Sequence, residues 1–255
     1  MSLFKSSNPA LSEKRFTNNI LTDVVDRENA MSVNGALQKF GFLMIMVIGT
    51  AFYSWKEFAG GGNVTPLILT GAIGGFVVAL VIIFKREWSP YLAPLYALLE
   101  GLFVGGISAV YNDAFAAKAP NLIINAVGLT LGVAVAMYLL YSFRIIKATE
   151  KFKSVVITAT IGIALFYGLV MILRMFGYDN MPFLHEGSTF GILFSLFVVA
   201  LASLNLILDF DMIEKGAELG APKYMEWYGA FGLLVTIVWL YLEILRLLSK
   251  ISGRK

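Results

Sequence analysis

Seven apolar runs divide the chain, at 37–55, 67–84, 91–110, 122–143, 155–176, 188–208 and 227–248. A helix rises 1.5 Å per residue, so about 20 apolar residues cross a hydrocarbon layer about 30 Å thick. Each run meets that length except 67–84, which is short and can extend through its flanks. The pattern predicts an all-α membrane protein: a seven-transmembrane-helix bundle over 37–251, preceded by a polar segment over 1–36. That segment, with "SSNPALSEKR" near its start, lacks the short apolar core and small-residue cleavage site of a signal peptide. The first run is therefore expected to act as an uncleaved anchor.

Composition agrees with the pattern. Of 255 residues, 58% are hydrophobic and only 15% charged, where a soluble domain carries about 25% charged residues. Mean hydropathy is +0.76, more apolar surface than one globular core can hide, which makes the lipid bilayer the natural partner. There is no cysteine and a single histidine, His185. A disulfide framework, a thiolate metal site, a zinc cluster and a Ser-His-Asp triad are thus all excluded. No enzyme activity and no cofactor are expected. An intramembrane protease is a distant reading, because His185 falls in an exterior loop with no acid in register.

The net charge of +3 would suit nucleic acid, but the basic residues sit at the ends of apolar runs and read as orientation signals. Nucleic acid is therefore not expected as a partner. Lys5, Lys14, Arg15, Arg27, Lys39, Lys85, Arg86, Arg144, Lys147, Lys151, Lys153, Lys215 and Lys223 lie on one side, against Lys56, Lys118 and Arg174 on the other. Such a bias puts the N-terminus in the cytoplasm. Seven spans then carry the C-terminus outside, although Arg246, Lys250, Arg254 and Lys255 accompany it. That conflict asks for partners that hold a charged last helix in place. The glycine groups "GAIGGF" at 71–76, "GLFVGG" at 101–106 and "GLTLG" at 128–132 read as close helix contacts, since small residues four apart let backbones approach in lipid.

Ionisable side chains at membrane depth are costly and point to function unless paired or hydrated. Glu100, mid-span in "PLYALLEGLFVGG", has no basic residue one turn away and must face protein or water, as a hydrogen-bond anchor or as part of an ion path. Asp209 and Asp211 close the sixth run in "LNLILDFDMIEKG". Two residues apart is roughly 200° around a helix, so they cannot share a face. Asp209 is deeper and is expected to be the working carboxylate. Asp211 is expected to be the solvated boundary one. Lys85 and Arg86, on the same side, are candidate counter-charges for Asp209. Glu243 precedes Arg246 by three residues and can pair with it along one helix face. Glu226, at the start of the seventh run, reads as a charge favouring a helix N-terminus.

"MSVNGALQKFGFLMIMVIGTA", the glycine-rich third run, "LILDFDMIEKG" and "YLEILRLLSK", in that order over about residues 31–250, resemble the transmembrane Bax inhibitor motif family, in its bacterial Bax inhibitor-1/YccA-like branch. The resemblance implies a central last helix surrounded by the other six, residence in a bacterial inner (plasma) membrane, and a pH-sensitive calcium leak. It also implies two aspartates, on the sixth and seventh helices, that share a proton and gate the pore. Asp209 matches the first of these. On the seventh helix the motif falls on Glu243 or, in a second register anchored on Arg246, on Thr236. A rise of about 24 Å from the near membrane side to Glu243 favours Thr236, and the shared-proton pair is then not intact.

Two functions follow. A cation leak would use Asp209, Glu100 and backbone carbonyls as a weak oxygen site for Ca²⁺ as the transported ion, with protonation removing the attraction. The alternative is an interaction protein that modulates a membrane protease or a stress response through its polar N-terminal segment, without conduction.

Overall fold

The structure is a computed structural model that describes residues 29–177 and 188–254. His185, Lys5, Lys14, Arg15, Arg27, Lys255 and most of the polar segment lie outside the described residues. Seven helices follow one another: α1 (Val33–Ala59), α2 (Thr65–Phe84), α3 (Ser89–Ala114), α4 (Leu122–Ser142), α5 (Glu150–Met175), α6 (Thr189–Glu218) and α7 (Met225–Gly253). All are long and apolar enough to cross a membrane, and no sheet forms among the described residues. Local chemistry sets their starts. The Ser32, Thr149 and Ser188 side chains accept from the backbone N–H groups of Gly35, Phe152 and Gly191, capping α1, α5 and α6. Proline stands in the first turn of α2 and α3, where its missing N–H costs nothing.

Except for α4, the helices are longer than the apolar stretches that announce them. The largest extension is in α6, which continues through Asp209, Asp211 and Glu214 to Glu218. Asp209 and Asp211 therefore stand inside a helix and not at its exit from the bundle.

Helix α7 is the axis of the molecule. In its most apolar window 61% of residues are buried, against 17% in α1, α2 and α5. It packs directly on α1, α3, α4 and α6, while α2 leans on α3 and α5 on α6. A last helix ringed by all six others is thus refined to one ringed by four, with α5 reaching it through side chains such as Tyr167. The outer helices turn Ile45, Phe52, Phe76 and Leu165 outward, which is the surface lipid would cover.

Glycine makes the tightest seams. A methyl group on Gly101 would strike Val47 O and Thr50 of α1, and one on Gly105 would strike Ala51 O. On Gly71 it would lie 2.5 Å from Leu99 O and 2.7 Å from Phe103 N. Two of the three glycine groups thus bring α1, α2 and α3 together. The third does not: around Gly128 and Gly132 there is open space, so this pair faces outward instead of packing.

One end of the bundle, called the near end here, gathers the start of α1 and the loops after α2, α4 and α6. Ala30 pairs with Pro222, Met31 N–H donates to Ala221 O at 2.7 Å, and the Ser89 hydroxyl donates to Tyr224 O at 3.0 Å. The far end holds the last turns of α1, α3, α5 and α7.

Candidate functional site

Glu100 and Asp209 are two of the carboxyls that lie within the bundle. Glu100 is 9% exposed on α3. The Tyr96 hydroxyl, one turn back, faces it, and the Tyr96 ring meets Phe231 of α7 edge to face at 4.9 Å. Gly75 makes room opposite, since a methyl group there would come within 3.2 Å of Glu100 Oε2. Glu100 faces protein, as expected, and its local partner is a tyrosine hydroxyl one turn away, where only the absence of a basic partner was foreseen.

Asp209 sits on the face of α6 turned to α7. There Gly232 and Thr236, one turn apart, form a notch: a methyl group on Gly232 would stand 3.8 Å from Asp209 Oδ1. The Thr236 hydroxyl faces this carboxyl and donates to Gly232 O at 3.3 Å. Oδ2 of Asp209 is buried and makes no hydrogen bond, the one such side-chain atom among the described residues. Buried polar atoms are almost always satisfied. An unsatisfied carboxyl oxygen at membrane depth is a place where a proton or a cation fits.

The register on α7 favours Thr236, and Asp209 meets it. Glu243 lies two turns farther on, about 10 Å of rise. The two carboxyls therefore belong to different layers. Glu243 is 1% exposed. It accepts from Arg246 at 2.8 and 2.9 Å and from the Tyr167 hydroxyl at 3.3 Å, and Arg246 also donates to Tyr167 at 2.7 Å. The pairing of Glu243 with Arg246 along one helix face is present.

Two expectations need correction. Asp211 is not a solvated helix end. It is 8% exposed, held by Lys153 at 2.7 Å and Lys215 at 3.0 Å, because α6 carries on and α5 brings Lys153 alongside. Nor do Lys85 and Arg86 serve Asp209. Arg86 lies over the Tyr228 ring at 5.3 Å, and no ion pair among the described residues joins either of them to Asp209. Lys153 and Lys215, at this end, go to Asp211.

Sequence reasoning missed Glu226. Read as a helix-terminus charge, it is fully buried and ties three segments together. Ser32 N–H and Oγ donate to it at 2.8 and 3.0 Å, Lys223 at 2.9 Å, and Lys39 as well. Gly35 leaves the space, since a methyl group there would collide with the carboxylate. The signal was present as a cap serine and a lysine on the first turns of α1, but their partner stands about 190 residues away. Nearby, Glu214 accepts from Tyr141 and Arg144. The Glu214 carboxylate holds the Arg144 guanidinium further toward its charged form. Among the described residues, no three His, Cys, Asp or Glu side chains come together to hold a metal ion.

Seven membrane-length helices, the last of them central, with carboxyls buried among them, define an integral multi-pass membrane protein of the helical-bundle class. Residues 7–253 match the family described as Bax inhibitor 1 like. The chain belongs to that family, in line with the resemblance carried by its motifs. A search among individual curated proteins gives no match.

Proposed function

We propose that this protein is a pH-sensitive cation leak path of the Bax inhibitor type, with calcium as a transported ion and Asp209 as its working carboxyl. The observation that carries the reading is Asp209 Oδ2, buried and without a partner in the wall between α6 and α7. Calcium takes oxygen ligands, and an ionised carboxyl, the Thr236 hydroxyl and helix carbonyls would offer a weak site through which an ion passes. Protonation of Asp209 removes the attraction, so flux falls as pH falls. Glu100 lies in the neighbouring layer behind Tyr96 and Phe231 and would take part as a second carboxyl or as an anchor. The protein would reside in a bacterial inner membrane with its near end, and hence its N-terminus, in the cytoplasm. It would have no enzyme activity. The test is flux into liposomes holding the purified protein, comparing calcium, potassium and protons.

A second reading rests on the near end. The root of the N-terminal segment is clamped to α7 through Ser32, Lys39 and Glu226. A partner such as a membrane protease that grips residues 1–30 would thereby act on the central helix. Removing residues 1–30 abolishes function on this reading and leaves flux intact on the first.

A further inference from the structure

At the far end a cavity of about 610 Å³ opens between the last turns of α3 and α5, with α7 as its floor. Val110, Val170 and Met171 make part of its wall apolar, and Arg174, Arg246 and Lys250 make part of it basic. Lys250 is 6% exposed, yet its two bonds go to neutral oxygens: Gly191 O at 3.2 Å and Ser195 Oγ at 2.8 Å. An ammonium has three donors, so one remains. Arg246 makes every bond through a single nitrogen, Nη1, to Glu243 and Tyr167. The rest of the guanidinium makes none among the described residues.

A buried cation without a counter-charge is expensive unless an anion joins it. Here two cations with spare donors line one cavity, and Glu243 serves only one of them. We propose that this cavity binds a phosphate-bearing anion, held by Lys250 and the unused edge of Arg246. The cavity lies at the ends of three spans, where phospholipid phosphates sit, and basic pockets between membrane helices suit such headgroups. The apolar part of the wall would take an acyl chain. A free phosphate compound would offer the same chemistry.

The test is native mass spectrometry and thermal melting of the full chain in detergent, with phosphatidylglycerol, phosphatidylcholine or inorganic phosphate added. The parent should retain phosphatidylglycerol about tenfold better than phosphatidylcholine at equal concentration, a difference of about 1.4 kcal/mol, and melt higher with it. Lys250→Gln should erase the preference. So should Ala114→Glu, which sets a carboxylate on an exposed residue of the cavity wall and leaves the fold alone. Arg86→Gln, at the other end, should keep it. If inorganic phosphate also raises the melting temperature and displaces the lipid, the natural anion is a free one; if only the lipid acts, it is a headgroup. Equal retention of the two lipids with no effect of phosphate, or a preference that survives both cavity variants, overturns the proposal.

Discussion

A hydroxyl carries one proton, and Thr236 has two acceptors for it, Gly232 O and the Asp209 carboxyl. When Asp209 is ionised, the proton turns to the carboxylate. When Asp209 is neutral, its own proton can be donated to Thr236, which then bonds back along α7. On the proposed reading the pair would switch one hydrogen bond between α6 and α7 without a second acid. Thr236→Val keeps the shape and removes both options, and calcium flux should drop several-fold with little change in melting temperature. A loss confined to stability would make Thr236 a packing residue. Glu226 is different in kind, a clamp with four donors. Glu226→Gln should lower stability by roughly 1–3 kcal/mol, the cost of leaving buried donors poorly paired, and Gly35→Ala should do the same by displacing the carboxylate. Thermal melting in detergent measures both. Asp209 was legible in the sequence because it breaks an apolar run. Glu226 was not, because its partners come from the other end of the chain and only the fold brings them in.

Glycine position decides how the elements meet. The seams of α1 with α3 and of α2 with α3 leave no space for a side chain at Gly101, Gly105 or Gly71, so Gly101→Leu or Gly105→Val should abolish folding or cut stability severely. Gly128→Leu and Gly132→Leu, on the open face of α4, should be tolerated and may be scored beside the first pair by yield of monodisperse protein. The sequence shows the same small-residue spacing at all three groups. It does not show which face of α4 meets a neighbour, since lipid-facing and protein-facing positions of a membrane helix are equally apolar. Helix ends were blurred for a related reason. Charged residues past an apolar run read as loop, whereas in α6 they stay helical because Lys153 of α5, Tyr141 in the last turn of α4 and Arg144 just after it pair with them.

At the scale of the whole molecule, the charge conflict at the last helix has a physical answer. Arg246 is taken up by Glu243 and Tyr167, and Lys250 by Gly191 and Ser195. Cations so bound are poor orientation signals, and the basic bias of the remaining loops is left to set the topology. The seven spans were readable from hydropathy alone, and the centrality of α7 from the charges it carries together with the family resemblance. Because the chain has no cysteine, single cysteines report sidedness cleanly. A cysteine at Lys118, exposed in the far-end loop after α3, should react with a membrane-impermeant maleimide in intact cells. One at Glu87, at the near end, should react only after lysis. The reverse pattern would turn the molecule over.

The most direct measurement is calcium flux into liposomes as a function of pH for the parent, Asp209→Asn and Asp211→Asn. The parent should lose flux as pH falls and Asp209 takes up a proton. Asp209→Asn should be low and flat across the range, at least about tenfold below the parent at the upper end, the equivalent of about 1.4 kcal/mol. Asp211→Asn breaks its pairs with Lys153 and Lys215 and should melt earlier while keeping the parent's pH profile. A pH profile unchanged by Asp209→Asn, or altered equally by both variants, would contradict the assignment of Asp209 as the working carboxyl.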